Sequence, residues 1–148
     1  MPIHLLSACD PPAGVIAQLH RMFAKFFWSN SVGNSSKHWA TWTVLCHPYE
    51  EGGVGFRSLQ DISKALFAKL WWNMRTKESL WRNYMSNKYL KRHHVVVVET
   101  KTSTYVWKKM IKVREEVESK IWWLIRQGNS YFWLDNWTGK GALHKLIQ

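Results

Sequence analysis

Acidic residues are scarce in this chain of 148 residues: ten Asp and Glu stand against 21 Lys and Arg, for a net charge of +11. Three of the ten are aspartates, Asp10, Asp61 and Asp135, far apart and never adjacent. Two-metal polymerase chemistry needs clustered carboxylates, so no catalytic residue is assigned and an enzyme is not expected. Glu115, Glu116 and Glu118 do cluster, but among Lys and Arg, which reads as a solvated helix face. Cysteine is equally sparse. Cys9 and Cys46 form no CxxC pair and no secreted-type framework, and are expected as buried or half-buried free thiols in a reducing compartment. No apolar run is long enough to span a bilayer, and the amino terminus MPIHLLSACDPP lacks the basic region of a signal peptide. A nuclear or cytoplasmic protein without a membrane partner is the expectation. Gly52, Gly53 and Gly55 lack the Lys-Ser/Thr that follows a phosphate loop. His93 and His94 have no second ligand pair at metal spacing. No metal and no cofactor are therefore expected.

What the chain has in excess is tryptophan and positive charge. Eleven of the 148 residues are Trp, and aromatic residues make up 15%. Burying so many indoles requires partners for their N–H groups. The isoelectric point near 9.9 favours a polyanionic partner, nucleic acid before anionic membrane. Between Ile62 and Val98 the basic residues are Lys64, Lys69, Arg75, Lys77, Arg82, Lys88, Lys91 and Arg92, against Glu78 alone. Cations of this density bind phosphate, and interleaved rings such as Trp71, Trp72, Trp81, Tyr84 and Tyr89 can stack on bases. The alternative is that the rings are core and the cations keep the surface wet; for the rings the core reading is preferred, for the cations the phosphate reading.

A single domain over residues 1–148 suits this length. The alternative division is a helical stretch over residues 1–94 followed by a helix plus hairpin over residues 95–148. Asp10-Pro11-Pro12 predicts a helix start, after which Ile16, Leu19, Phe23, Phe26 and Phe27 share one face. Residues 29–36 read as a loop, and Glu50 to Gly53 as a turn. A helix opening at Ser58 carries Leu59, Ile62, Leu66 and Leu70 on one stripe and leaves Trp71 and Trp72 off it, as an unpartnered interaction surface. A third helix is expected over 78–90, and a fourth after Thr102–Thr104 with Val106, Met110, Val113 and Val117 inward. The sequence IWWLIR-QGNS-YFWLDNW reads as strand, turn, strand. The expected fold class is thus α+β, mainly α-helical with a C-terminal β-hairpin.

The blocks FAKFFWSN, HWATWTVLCHP, EEGGVGFRSL, SKALFAKLWWNMRT, SLWRNYMSNKYL and GNSYFWLDNW, taken in this order, resemble plant non-LTR (LINE-type) retrotransposon reverse transcriptases. The resemblance runs from about Met1 to Ile147 and falls on the region after the catalytic core and before the zinc-binding segment. FFWSN is similar to the family's Phe-Leu-Trp block, EEGGVGF to its Glu-Gly-Gly-Leu-Gly block, and FWLDNW to its Phe-Trp-x-Asp-x-Trp block. Lys64 departs from the Asn that many members carry before Ala-Leu. The resemblance implies a thumb and connection that grip template RNA and the primer–template duplex. It also implies that the Tyr-x-Asp-Asp palm motif lies upstream, and the zinc segment and ribonuclease H domain downstream. Met1 lies inside the matched region, which implies an open reading frame left by a decayed element or a truncated gene model.

The function expected is that of a non-catalytic reverse-transcriptase fragment binding RNA or an RNA–DNA hybrid through a basic helical surface. The alternatives are a protein-interaction remnant docking through its Trp-rich helix on the missing reverse-transcriptase core or a host protein, and a decayed product with no selected function.

Overall fold

Helices form wherever the sequence offers an apolar 3.6-residue period, and the prolines, glycines and Ser/Thr caps mark where they stop. The structure is a computed structural model and describes residues 3–9, 11–29, 37–99, 102–126, 128 and 130–147. The chain divides into two compact units, Met1–Leu66 and Phe67–Gln148. Among the described residues no helix is long and apolar enough to cross a membrane.

In the first unit, α1 (Leu5–Ala8) precedes α2 (Ala13–Trp28). Pro12, with ψ 148, is the extended N-cap of α2, as proline's missing N–H allows; Asp10 of the expected start lies outside the described residues. Leu6, Ile16 and Leu59 form a small buried core, with Leu19, Phe23, Ile62 and Leu66 packed on it. Phe26, expected inward, is exposed, and so is Cys9. Helix α3 (Trp42–Leu45) places Trp42 in a face-on stack with Phe56, centroids 5.2 Å apart. The predicted turn is present: a 3-10 turn over Tyr49–Glu51 runs into Gly52 at φ 81. The N–H groups of Val54 and Phe56 both return to the Leu45 carbonyl at 3.1 and 3.2 Å. The chain passes so tightly that a Cβ on Gly53 would lie 1.9 Å from the His47 carbonyl oxygen.

Helix α4 (Leu59–Thr76) gives its first turns to this unit and its last turns to the second. Its buried positions are Leu59, Ser63, Phe67, Trp71 and Met74, spaced by four as far as Trp71 and then by three, which keeps them on one face. The expected stripe through Ile62, Leu66 and Leu70 sits beside this row and is only half-buried. The row was obscured by Ser63, whose hydroxyl reaches the Leu6 carbonyl at 3.5 Å.

In the second unit α5 (Leu80–Met85) is capped by Ser79, whose hydroxyl accepts from the Arg82 N–H at 3.1 Å. It runs directly into a π-helical turn, Ser86–Leu90. Val95, Val96 and Val98 are buried, the first two in a turn. Helix α6 (Tyr105–Glu118) buries Trp107, Met110 and Val113 against Phe67, Trp71, Met74 and Met85. Its N-cap Thr104 has no side-chain bond to the helix, because its hydroxyl is engaged by the Tyr89 hydroxyl at 2.9 Å.

The expected C-terminal β-hairpin is absent: no described residue lies in a strand, and the fold is helical. The two segments do run side by side, but among the described residues only one backbone bond links them, Trp123 N–H to the Asn136 carbonyl at 2.9 Å. The Asn136 amide donates to the Ile121 carbonyl at 3.1 Å where a ladder would continue. The would-be second strand is coiled by Asp135. Its Oδ2 accepts the Tyr131 N–H at 2.8 Å, and its own N–H returns to the Tyr131 carbonyl at 2.9 Å. An Asp that captures nearby backbone N–H groups competes with sheet pairing. Gln127 and Asn129 of the predicted turn lie outside the described residues. A short helix, α7 (Leu143–Leu146), follows.

Candidate nucleic-acid interface

Arg75, in the last turn of α4, organises the second unit. Its side chain is 4% exposed, and Nε lies 3.0 Å from Glu118 Oε1. Its Nη2 donates to Asp135 Oδ1, its Nη1 meets His94 Nε2 at 2.9 Å, and the guanidinium lies 4.9 Å over the Trp123 ring. Glu118 Oε1 also accepts the Trp71 indole N–H at 2.7 Å. One cation thus faces two carboxylates, and every member holds further hydrogen bonds, the condition for a buried ion pair to be tolerated. Glu118, expected on a solvated face with Glu115 and Glu116, is instead turned inward and is 10% exposed.

The guanidinium can only donate, so His94 Nε2 accepts from Arg75. Burial, then the adjacent Arg75, pushes the His94 pKa down to about 4, with Asp135 opposing and His144 adding to the fall. His94 is therefore neutral at pH 7. Tyr131 packs on its ring at 4.3 Å between centroids.

Beside this network opens a cleft of about 330 Å³. Its polar lining is Arg75, Arg82, Arg92, His93, His94, Ser86 and Tyr131; its apolar lining is Met74, Leu90, Val95 and Leu134. Of the eight basic residues singled out in the sequence, Arg75, Arg82 and Arg92 meet here. Lys69, Lys77, Lys88 and Lys91 are exposed elsewhere on the same unit, and Lys64 is exposed in the first unit. Lys88 lies 3.3 Å from the Tyr84 hydroxyl and over the Tyr84 and Tyr89 rings. The Tyr84 hydroxyl, then its charge and that of Tyr89, hold the Lys88 pKa up. Lys91 adopts φ 50 as the chain leaves the π turn.

The two Trp residues singled out as a surface have different fates. Trp71 is fully buried. Trp72 is 43% exposed and stacks on Trp123 with centroids 6.1 Å apart. Sequence reasoning missed Asp135 and Glu118 as partners of Arg75, since both are distant from it in sequence; the Asp-Asn-Trp block carried no sign of a charge contact. Among the described residues no three His, Cys, Asp or Glu side chains converge as metal ligands.

The chain is similar to two proteins of Arabidopsis thaliana. It is 27% identical over 153 residues to one named "Putative ribonuclease H protein", a match covering 99% of this chain and 24% of that protein. It is 26% identical over 143 residues to a second, named "Uncharacterized mitochondrial protein", covering 93% of this chain and 92% of that one. The chain spans about a quarter of the length of the first relative. No family model matches it, and no solved structure does.

Proposed function

We propose that this chain is a plant retroelement-derived fragment without polymerase activity that binds RNA or an RNA–DNA hybrid through phosphate contacts. The observation that carries the reading is the gathering of Arg82 and Arg92 at one cleft, inside a stretch with eight basic residues and one acidic. The likeness to two plant proteins, one of them named a ribonuclease H protein, supports a retroelement origin. The order of the Trp blocks supports a place after the reverse-transcriptase core. The lack of any adjacent aspartate pair supports catalytic silence.

Arg75 is held by Glu118 and Asp135, so the phosphate contacts fall to Arg82, Arg92 and the exposed Lys69, Lys77, Lys88 and Lys91. The test is a salt titration of affinity for a short RNA–DNA hybrid with 5′-hydroxyl ends. Each phosphate contact contributes roughly one unit of slope in log affinity against log salt. Charge reversal at Lys88, Lys91 and Arg92 lowers affinity for all sequences equally and flattens the slope. The same reversal at Lys108 and Lys112, next to Glu115 and Glu116 on α6, does less. Negligible wild-type affinity at low salt, or equal effects of the two reversals, defeats the reading.

A second reading is favoured by the exposed Trp72 together with Trp122, Phe132 and Trp133, all more than two-fifths exposed. It is a protein-interaction remnant, docking on a reverse-transcriptase core or a host protein. Apolar docking does not weaken with salt, so the same titration separates the two.

A further inference from the structure

The cleft differs from a plain phosphate-tracking surface in being concave and two-sided. Its volume of about 330 Å³ corresponds to roughly ten water molecules. That is more than a bare phosphate fills, and it lies within the small-molecule range. Arg82 and Arg92 contribute guanidinium groups, and neither has an ion pair with a described residue. Arg75 at the same cleft adds no attraction for an incoming anion, because with Glu118 and Asp135 it sums to one negative charge. His94 is neutral. The positive potential is therefore localised at Arg82 and Arg92, while Leu90, Leu134 and the Tyr131 ring offer apolar surface. A phosphodiester carries one charge and continues in both directions. A phosphate monoester carries about −1.5 to −2, which matches two guanidiniums, and guanidinium forks suit its oxygens.

We propose that this cleft seats a nucleotide bearing a terminal phosphate monoester, the phosphate on Arg82 and Arg92 and the sugar–base body against Leu90, Leu134 and Tyr131. The proposal rests on the nucleic-acid reading for the class of partner, but it concerns an end rather than a backbone. The same chemistry is presented by a free nucleoside 5′-monophosphate and by the 5′ end of a strand.

The experiment compares a short single-stranded RNA carrying a 5′-phosphate with the same RNA carrying a 5′-hydroxyl, by fluorescence anisotropy on the full chain. Adenosine 5′-monophosphate, adenosine and inorganic phosphate serve as competitors. The 5′-phosphorylated strand is expected to bind about tenfold more tightly, the ratio that one charge-assisted hydrogen bond supplies. Adenosine 5′-monophosphate is expected to displace it, with adenosine and inorganic phosphate much weaker. Arg82→Gln with Arg92→Gln abolishes the preference. Lys69→Gln with Lys77→Gln weakens both strands alike and leaves the ratio intact. A strand preference without competition by the mononucleotide assigns the site to strand ends. Direct binding of the mononucleotide without a strand preference assigns it to free nucleotide. No preference together with no mononucleotide binding overturns the proposal, and so does inorganic phosphate competing as well as the mononucleotide. In that event, retained binding of the 5′-hydroxyl hybrid leaves the nucleic-acid reading standing. Should circular dichroism show the double variant unfolded, the wild-type comparisons decide alone.

Discussion

Replacing Arg75 by Met removes the guanidinium while keeping an unbranched side chain to lie against Trp123. Glu118 would retain the Trp71 indole N–H as a donor, and Asp135 the Tyr131 N–H. Both carboxylates would then sit with their charge uncompensated at 10% and 3% exposure. Breaking a buried pair by removing one partner costs about 3–5 kcal/mol, and two carboxylates share this one. Against a total stability of about 5–15 kcal/mol for a small domain, that is a large share. For a unit of this size it corresponds to a fall in Tm of about 12 °C or more. Urea denaturation followed by circular dichroism and Trp emission measures it. Adding Glu118→Gln and Asp135→Asn to Arg75→Met should recover part of the loss, since the orphaned charges go with the cation. Arg75→Lys should fall between, because an ammonium cannot span both carboxylates and His94 in the same plane. A loss below about 1 kcal/mol for Arg75→Met, typical of surface pairs, would refute the network as a stabilising element.

Three further outcomes are expected. His94 has its folded pKa below its unfolded value of 6.5, so the unfolded chain binds the extra proton between pH 6.5 and about 4. Stability is therefore complete above pH 6.5 and falls as the pH drops towards 4. The loss is about 1–2 kcal/mol after discounting for a half-buried ring. His94→Gln should flatten that region of the pH–stability curve, and an unchanged curve would count against the assignment. Trp71→Ala should cost about 3–5 kcal/mol by leaving a cavity, whereas Trp72→Gln should change stability little and reduce self-association in analytical ultracentrifugation; equal destabilisation would contradict the burial pattern. Gly53→Ala should destabilise the first unit more than Gly52→Ala. The former drives a Cβ into the His47 carbonyl, while the latter meets only the cost of a left-handed residue, about 1–2 kcal/mol. Thermal melts of the two variants would show the order.

The helices were legible because their signals are local. Pro12 stands where the cap of α2 forms, and Met110 and Val113 keep the expected period of α6, although Trp107 is buried there while Val106 and Val117 are half-buried. The inward row of α4 was misplaced by one residue because Ser63 reads as polar and its burial depends on the Leu6 carbonyl. The terminal hairpin failed for a related reason. Alternating aromatics predict a strand, but a single carboxylate that bonds back four residues turns the chain instead. At the candidate site, charge density pointed to the stretch that holds the arginines of the cleft. It could not separate Arg75, which neutralises carboxylates from far along the chain, from Arg82 and Arg92 beside it. That distinction comes from tertiary partners and leaves no mark on local composition.

The π turn after α5 has a consequence for how this cleft could arise or vanish. Its closing bond runs from the Lys91 N–H to the Ser86 carbonyl at 3.2 Å, one residue wider than an α-helical bond, so the turn is equivalent to a single-residue insertion in an ordinary helix. Deleting one residue between Ser86 and Leu90 would restore the α-helical register. All that follows would rotate by about 100° and draw in by about 1.5 Å, carrying Leu90 and Arg92 away from the face that holds Arg82. A one-codon deletion could thus dismantle the cleft while leaving every side chain that lines it in the gene. The spacing between Arg82 and Arg92 is then as much a determinant of the site as the two arginines themselves.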